Sequence, residues 1–189
     1  MRGILFLVLI AALTPALNGC STPAAGGEKT ATATDEKRKV GAYIDDEEIE
    51  LHGLNRMHEL FPQASVSVSV TSFNRNVLLT GYAPDEPTKL KIEDAIKGIP
   101  KVRNVYDEIT LSAVPSLTSE VGDSAITTNV KARLMNGKGV NFLHVKVVTE
   151  AGVVYLMGLL SHSEADAAAQ TAATTGGVSR VVKVVEYTD

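Results

Sequence analysis

Tryptophan is absent from this 189-residue sequence, aromatic residues make up only 5% of it, and there is a single cysteine. One thiol excludes a disulfide scaffold and any multi-cysteine zinc site. With so few rings, the interior has to be built from valine, leucine, isoleucine and alanine, and the 44% hydrophobic content is enough for one packed domain or two small ones. A basic excess is missing as well. Net charge is −4; residues 43–113 carry seven Lys/Arg against twelve Asp/Glu, and residues 119–189 carry six against seven. Neither half has the cationic face of a duplex binder, so no nucleic-acid partner is expected. A partner feels charge only within about 8–10 Å, so if one half approaches an anionic surface it is the less acidic second one.

A long apolar run is also lacking. Ile4–Leu13 spans ten residues behind Met1 and Arg2, too short to cross a bilayer as a helix, and it reads as a secretory signal. The run leads into Leu17-Asn18-Gly19-Cys20, which resembles the bacterial lipobox, and the only cysteine stands where that motif requires it. The resemblance implies removal of residues 1–19 and a covalent diacylglycerol plus an N-acyl chain on Cys20. At about 0.8 kcal/mol per buried methylene, two or three chains anchor durably where one does not. Ser21 rather than Asp after the cysteine implies sorting to the outer membrane by the same resemblance. Residues 20–42 are small and polar with scattered charge and read as a lipidated flexible tether. As a coil it would reach on the order of 25 Å.

The rest of the chain repeats. An offset of 77 aligns Asp46 with Asp123, Ile49 with Ile126, Arg56 with Arg133, Val68 with Val145, Leu79 with Leu156 and Gly81 with Gly158. Two units of about 70 residues follow, at 43–113 and 119–189, with a linker at 114–118. In each, an aspartate (Asp46, Asp123) reads as an N-cap, and Ile49/Gly53/Met57 or Ile126/Val130/Leu134 form one helical face. Val66/Val68/Val70 and Leu143/Val145/Val147 alternate with polar residues as half-buried strands. Turns at 72–75 and 150–152 lead into NVLLTGYA and VVYLMGLL. A second helix (86–97, 164–174) and a closing strand (105–111, 181–187) complete an αββαβ order. The class is α+β, two helices on a three-stranded mixed sheet in each unit.

The D-x-x-I helix, the V-x-V strand, V-x-L-x-G in the second strand, the Ala-rich second helix and Gly177-Val178 before the last strand together resemble the BON domain (bacterial OsmY and nodulation). Two copies cover about 140 of the 189 residues. With the lipobox and tether, the whole is similar to the dual-BON outer-membrane lipoproteins. That resemblance implies a non-enzymatic protein facing the periplasm that binds phospholipid and supports envelope integrity. An alternative is a periplasmic interaction module or chaperone for envelope proteins.

No hydrolase, zincin or phosphate-loop motif occurs, so neither a catalytic nor a metal site is expected. His52 and His58 fall on opposite sides of one helix, His144 reads as the polar face of a strand, and His162 as a loop residue. Ser161-x-x-Glu164 reads as a capping box. The acidic run Asp45–Glu48 reads as dipole stabilisation at a helix start. Gly81 and Gly158 are structural, placed where a side chain would strike the second helix or block the backbone angle. VVYLMGLL is apolar on both faces. If Val154, Leu156 and Leu160 face the helices, Val153, Tyr155, Met157 and Leu159 need another cover, and the short linker favours contact between the two units. Lipid-contact candidates in the second unit are Ala125, Thr128, Lys131, Arg133, Met135 and Lys138. They form a small cationic and apolar edge suited to an anionic headgroup, and Arg133 is read as also taking part in a salt bridge to an acidic residue.

Overall fold

The computed structural model describes residues 40–62, 66–114 and 118–189. The signal segment 1–19, Cys20 and almost all of the tether lie outside the described residues. In chain order the elements are α1 (Val40–Leu60), β1 (Ser67–Phe73), β2 (Asn76–Ala83), α2 (Glu86–Lys97) and β3 (Asn104–Leu111). They are followed by α3 (Thr118–Asn136), β4 (Val145–Glu150), β5 (Val153–Leu160), α4 (His162–Ala173) and β6 (Arg180–Tyr187). A one-turn 3₁₀ helix, Phe142–His144, precedes β4. Two limits move. α1 begins at Val40, inside the stretch assigned to the tether, and α3 begins at Thr118, inside the assigned linker.

Each repeat has one sheet of three strands, the first two antiparallel and the last two parallel. The parallel pair needs a crossover, which α2 and α4 supply. α4 opens on the anticipated capping box: Ser161 Oγ accepts from the Glu164 N–H, and the Glu164 carboxylate accepts from the Ser161 N–H. His162 is therefore the first residue of a helix rather than a loop residue. It stacks on Tyr187 at 3.8 Å and bonds the Asp189 carboxylate at 2.7 Å.

Asp46 and Asp123 are not N-caps, since both lie inside their helices. Each reaches across to the hairpin turn that follows. Asp46 accepts from the Ser72 hydroxyl (2.6 Å) and from the N–H groups of Asn74 (2.8 Å) and Arg75 (2.7 Å). Asp123 accepts from the N–H groups of Ala151 (2.7 Å) and Gly152 (2.8 Å). Both turns place two successive residues at positive φ, at Asn74-Arg75 and Ala151-Gly152. That is the two-residue geometry matching sheet twist, but it is costly for residues with a Cβ. The carboxylate holds the turn amides in that shape. The acidic run is likewise not at a helix start. Asp45 pairs with Arg75 and with Lys101, and Lys101 also pairs with Glu48 (2.8 Å). The Lys101 ammonium, with Arg75 adding to it, holds the Asp45 carboxyl below its ordinary range.

Gly81 and Gly158 sit inside β2 and β5, opposite Val68 and Val145. A Cβ at Gly81 would stand 2.1 Å from the Ser67 carbonyl oxygen, and one at Gly158 would stand 2.6 Å from that of His144. The obstacle is the backbone leading into the neighbouring strand, not the second helix. Only Gly81 also has a left-handed angle, φ +118.

Three cores result. Ile49, Met57, Val77, Leu79, Ile92 and Ile96 fill the first repeat between sheet and helices. Val130, Leu134, Val147, Val154, Leu156 and Ala168 fill the second. The third joins the two sheets: Phe73 and Leu78 pack with Tyr155, Met157, Leu159 and Val184. The apolar outer face of β5 is thus covered by the first repeat. Polar groups fringe this seam. Glu186 accepts from Asn74 (3.0 Å), Asn76 (3.2 Å) and Arg103 (2.9 Å), and Lys146 pairs with Glu50 at 2.6 Å. Burial raises the Glu186 carboxyl, but these donors outweigh it and the net direction is down.

Candidate functional site

A mainly apolar groove of about 320 Å³ opens in the second repeat between α3 and the start of β4. Its walls are Leu134, Met135, Phe142, Leu143 and Val145, and Lys131 stands at the rim. The local sequence explains the shape. Ile126, Val130 and Leu134 turn one face of α3 into the core, which leaves Lys131 and Met135, four residues apart, on the flank. Gly139 takes a left-handed angle, φ +90, in the loop after α3. Asn141 then caps the one-turn helix, its side-chain oxygen accepting from the Leu143 N–H at 3.2 Å. That turn folds Phe142 partly inward and lifts Leu143 out.

Met135 and Leu143 are 57% and 63% exposed, so the groove presents two large apolar side chains to solvent beside an exposed ammonium. An anionic headgroup with apolar chains suits this pairing, because the ammonium takes the charge while methyl and thioether groups take hydrocarbon. Among the described residues no cluster of three or more His, Cys, Asp or Glu could hold a metal ion.

Of the six candidates read from sequence, only Lys131 and Met135 line the groove. Ala125 and Thr128 are exposed on earlier turns of α3, and the Thr128 hydroxyl donates to the Ser124 carbonyl within the helix. Lys138 is exposed in the following loop. Arg133 points to the other flank, donating to Thr175 Oγ1 and Thr174 Oγ1, both at 2.9 Å, so it ties α3 to the end of α4, and among the described residues no acidic side chain forms a salt bridge with it. Leu143 is not a strand residue, and His144 is buried rather than on a polar strand face. Phe142 and Leu143 were hidden because Leu143-x-Val145-x-Val147 mimics a strand period. Asn141, a capping residue just before an apolar pair, is the signal that marks the turn.

Two α-helix and β-sheet sandwiches in tandem, sharing a sheet-to-sheet core, with an apolar groove flanked by a lysine in the second, define a two-domain α+β repeat protein. The chain belongs to the BON domain family, which matches residues 45–113 and 122–189. It is 36% identical over 97% of its length to outer membrane lipoprotein DolP of Haemophilus influenzae, covering 96% of that protein. It is 34% identical over 80% of its length to a 21 kDa hemolysin of Actinobacillus pleuropneumoniae, covering 79% of it. Osmotically-inducible protein Y of Escherichia coli is 28% identical over 87% of the chain, with 82% of that protein covered.

Proposed function

We propose that this chain is a non-enzymatic outer-membrane lipoprotein, anchored through lipid on Cys20 and facing the periplasm, that binds anionic phospholipid through its second BON domain and supports outer-membrane integrity. The observation that carries the lipid contact is the groove lined by Lys131 together with the exposed Met135 and Leu143. The lipobox-like Leu17–Cys20 and the similarity to a named outer membrane lipoprotein support the anchor and the location.

Reversing the rim charge tests the contact. Lys131→Glu should lower partitioning onto anionic liposomes roughly ten- to thirty-fold, since a near-surface cation contributes about 1 kcal/mol and its reversal up to about twice that. The difference should shrink as salt is raised. The circular dichroism spectrum should not change, because the side chain is exposed. Lys91→Glu, an exposed site on α2 of the first repeat, is the control. An equal loss in the control would assign the attraction to the whole particle and remove the role of the groove.

The anchor has its own test. Cys20→Ala should leave the protein unlipidated and no longer fractionating with the outer membrane. A variant still in the outer-membrane fraction after a high-salt wash would show that lipid on Cys20 is not what retains it there.

A further inference from the structure

The first repeat carries a second groove, of about 540 Å³, which differs from the lipid candidate in having an open sheet edge for one wall. Its lining is Glu47, Glu50, Leu51 and Leu54 of α1 together with Val68 and Val70 of β1, among others. Among the described residues no strand lies beyond β1. The register shows which backbone groups are on offer. Phe73 and Asn76 close a two-residue hairpin and exchange hydrogen bonds, so Ser72, Val70 and Val68 turn their N–H and C=O groups away from β2. At Ser72 both are taken: the N–H donates to Glu50 Oε1 at 2.7 Å and the carbonyl accepts from Lys146 Nζ at 3.2 Å. At Val68 and Val70 the outward groups have no hydrogen-bond partner among the described residues.

Above these two free rungs, Leu51 and Leu54 are 58% and 53% exposed, on the flank of a helix that Gly53 lets lie tight on β1, where an added Cβ would come within 2.7 Å of Val70 Cγ1. Free rungs beside a wall of leucine form the arrangement that receives an added strand, with main-chain bonds giving affinity and the wall selecting side chains. Charge decides the occupant. Glu47 is exposed at the groove, and residues 43–113 carry seven cationic against twelve acidic side chains. A second copy paired β1 to β1 about a two-fold axis would set one acidic repeat, with its exposed Glu47, against another, a like-charge contact that costs affinity. An anionic membrane is repelled for the same reason.

We propose that the β1 edge of the first repeat binds an extended segment of another protein, whose apolar and cationic side chains share the strand face turned toward α1, by strand addition at Val68 and Val70. This surface is separate from the lipid groove, and the proposal stands or falls independently of it.

The test uses the full chain in a neutral maltoside detergent and a fluorescein-labelled octapeptide, Val-Ser-Lys-Ser-Val-Ser-Lys-Ser, whose valines and lysines share one strand face. The expected results are saturable anisotropy binding and slowed amide exchange at Val68 and Val70. Leu51→Glu, an exposed substitution that leaves the fold intact, should weaken binding about ten-fold or more through lost apolar contact and added charge at the wall. Two N-methylated peptides separate strand addition from simple charge attraction. Methylating the amides of the valines and lysines, or those of the serines, blocks one edge of the peptide, so one set should abolish binding and the other keep it. Equal binding by both sets, protection falling on β4 or α3 instead of β1, or unchanged affinity in Leu51→Glu would each overturn the proposal. So would protection of β1 without peptide that grows with protein concentration, since that identifies a second copy as the occupant.

Discussion

Gly81→Val is expected to destabilise the chain by about 3–5 kcal/mol, among the largest effects a single substitution produces. Two costs combine at this position. A Cβ would stand 2.1 Å from the Ser67 carbonyl oxygen, and φ +118 is an angle that side chains rarely adopt. Because the obstacle is backbone and not the end of a flexible side chain, β1 would have to part from β2 to admit it. Gly81→Ala should therefore recover little, since strain begins at the first carbon. At Gly158 the angle is ordinary and the approach is 2.6 Å to His144 O, so the valine variant there should lose less, about 2–3 kcal/mol. Urea denaturation followed by far-ultraviolet circular dichroism reads both. If Gly81→Ala matched the parent, backbone strain could not be what keeps glycine at this site.

Leu78→Asp should separate the two repeats while leaving each folded. Leu78 is fully buried, and its neighbours are Phe73 of its own sheet and Tyr155, Met157 and Val184 of the other. A carboxylate there loses its water with no cation beside it in the seam core, at a cost of several kcal/mol that parting of the sheets relieves. The parent should unfold in one transition and the variant in two. Tyr155 supplies a second readout. Burial, with the Glu108 charge adding to it, pushes its phenol up to about 12 from an ordinary 10.0. A raised acid favours the folded state while protonated, so this contribution is intact below about pH 10 and fades as pH climbs toward 12. In Leu78→Asp one tyrosine absorbance step should move down toward 10. A single transition with an unmoved Tyr155 step would show that the seam is not what Leu78 maintains.

Much of this architecture is legible in the residues themselves. The 77-residue offset marks two equivalent units, and helical and two-residue periods place the elements, because which face a side chain occupies depends on local geometry alone. VVYLMGLL, apolar at every second and every intervening position, shows that β5 is buried on both faces. The same local rule reaches its limit at Asp46 and Asp123. An aspartate ahead of an amphipathic run has the form of an N-cap, yet the amides each one binds lie 28 and 29 residues away in a hairpin turn. Arg133 is similar: its partners Thr174 and Thr175 are more than 40 residues on. Sequence by itself determined the repeat, the strand and helix order, the second buried face of β5 and the lone cysteine behind Leu17-Asn18-Gly19. Tertiary structure alone decided what covers that face, which carboxylate holds which turn, and that Phe142 and Leu143 join Lys131 and Met135 around one groove. Periodicity records that a side chain must be buried or bonded, whereas its partner is settled only when distant segments pack and exclude the alternatives.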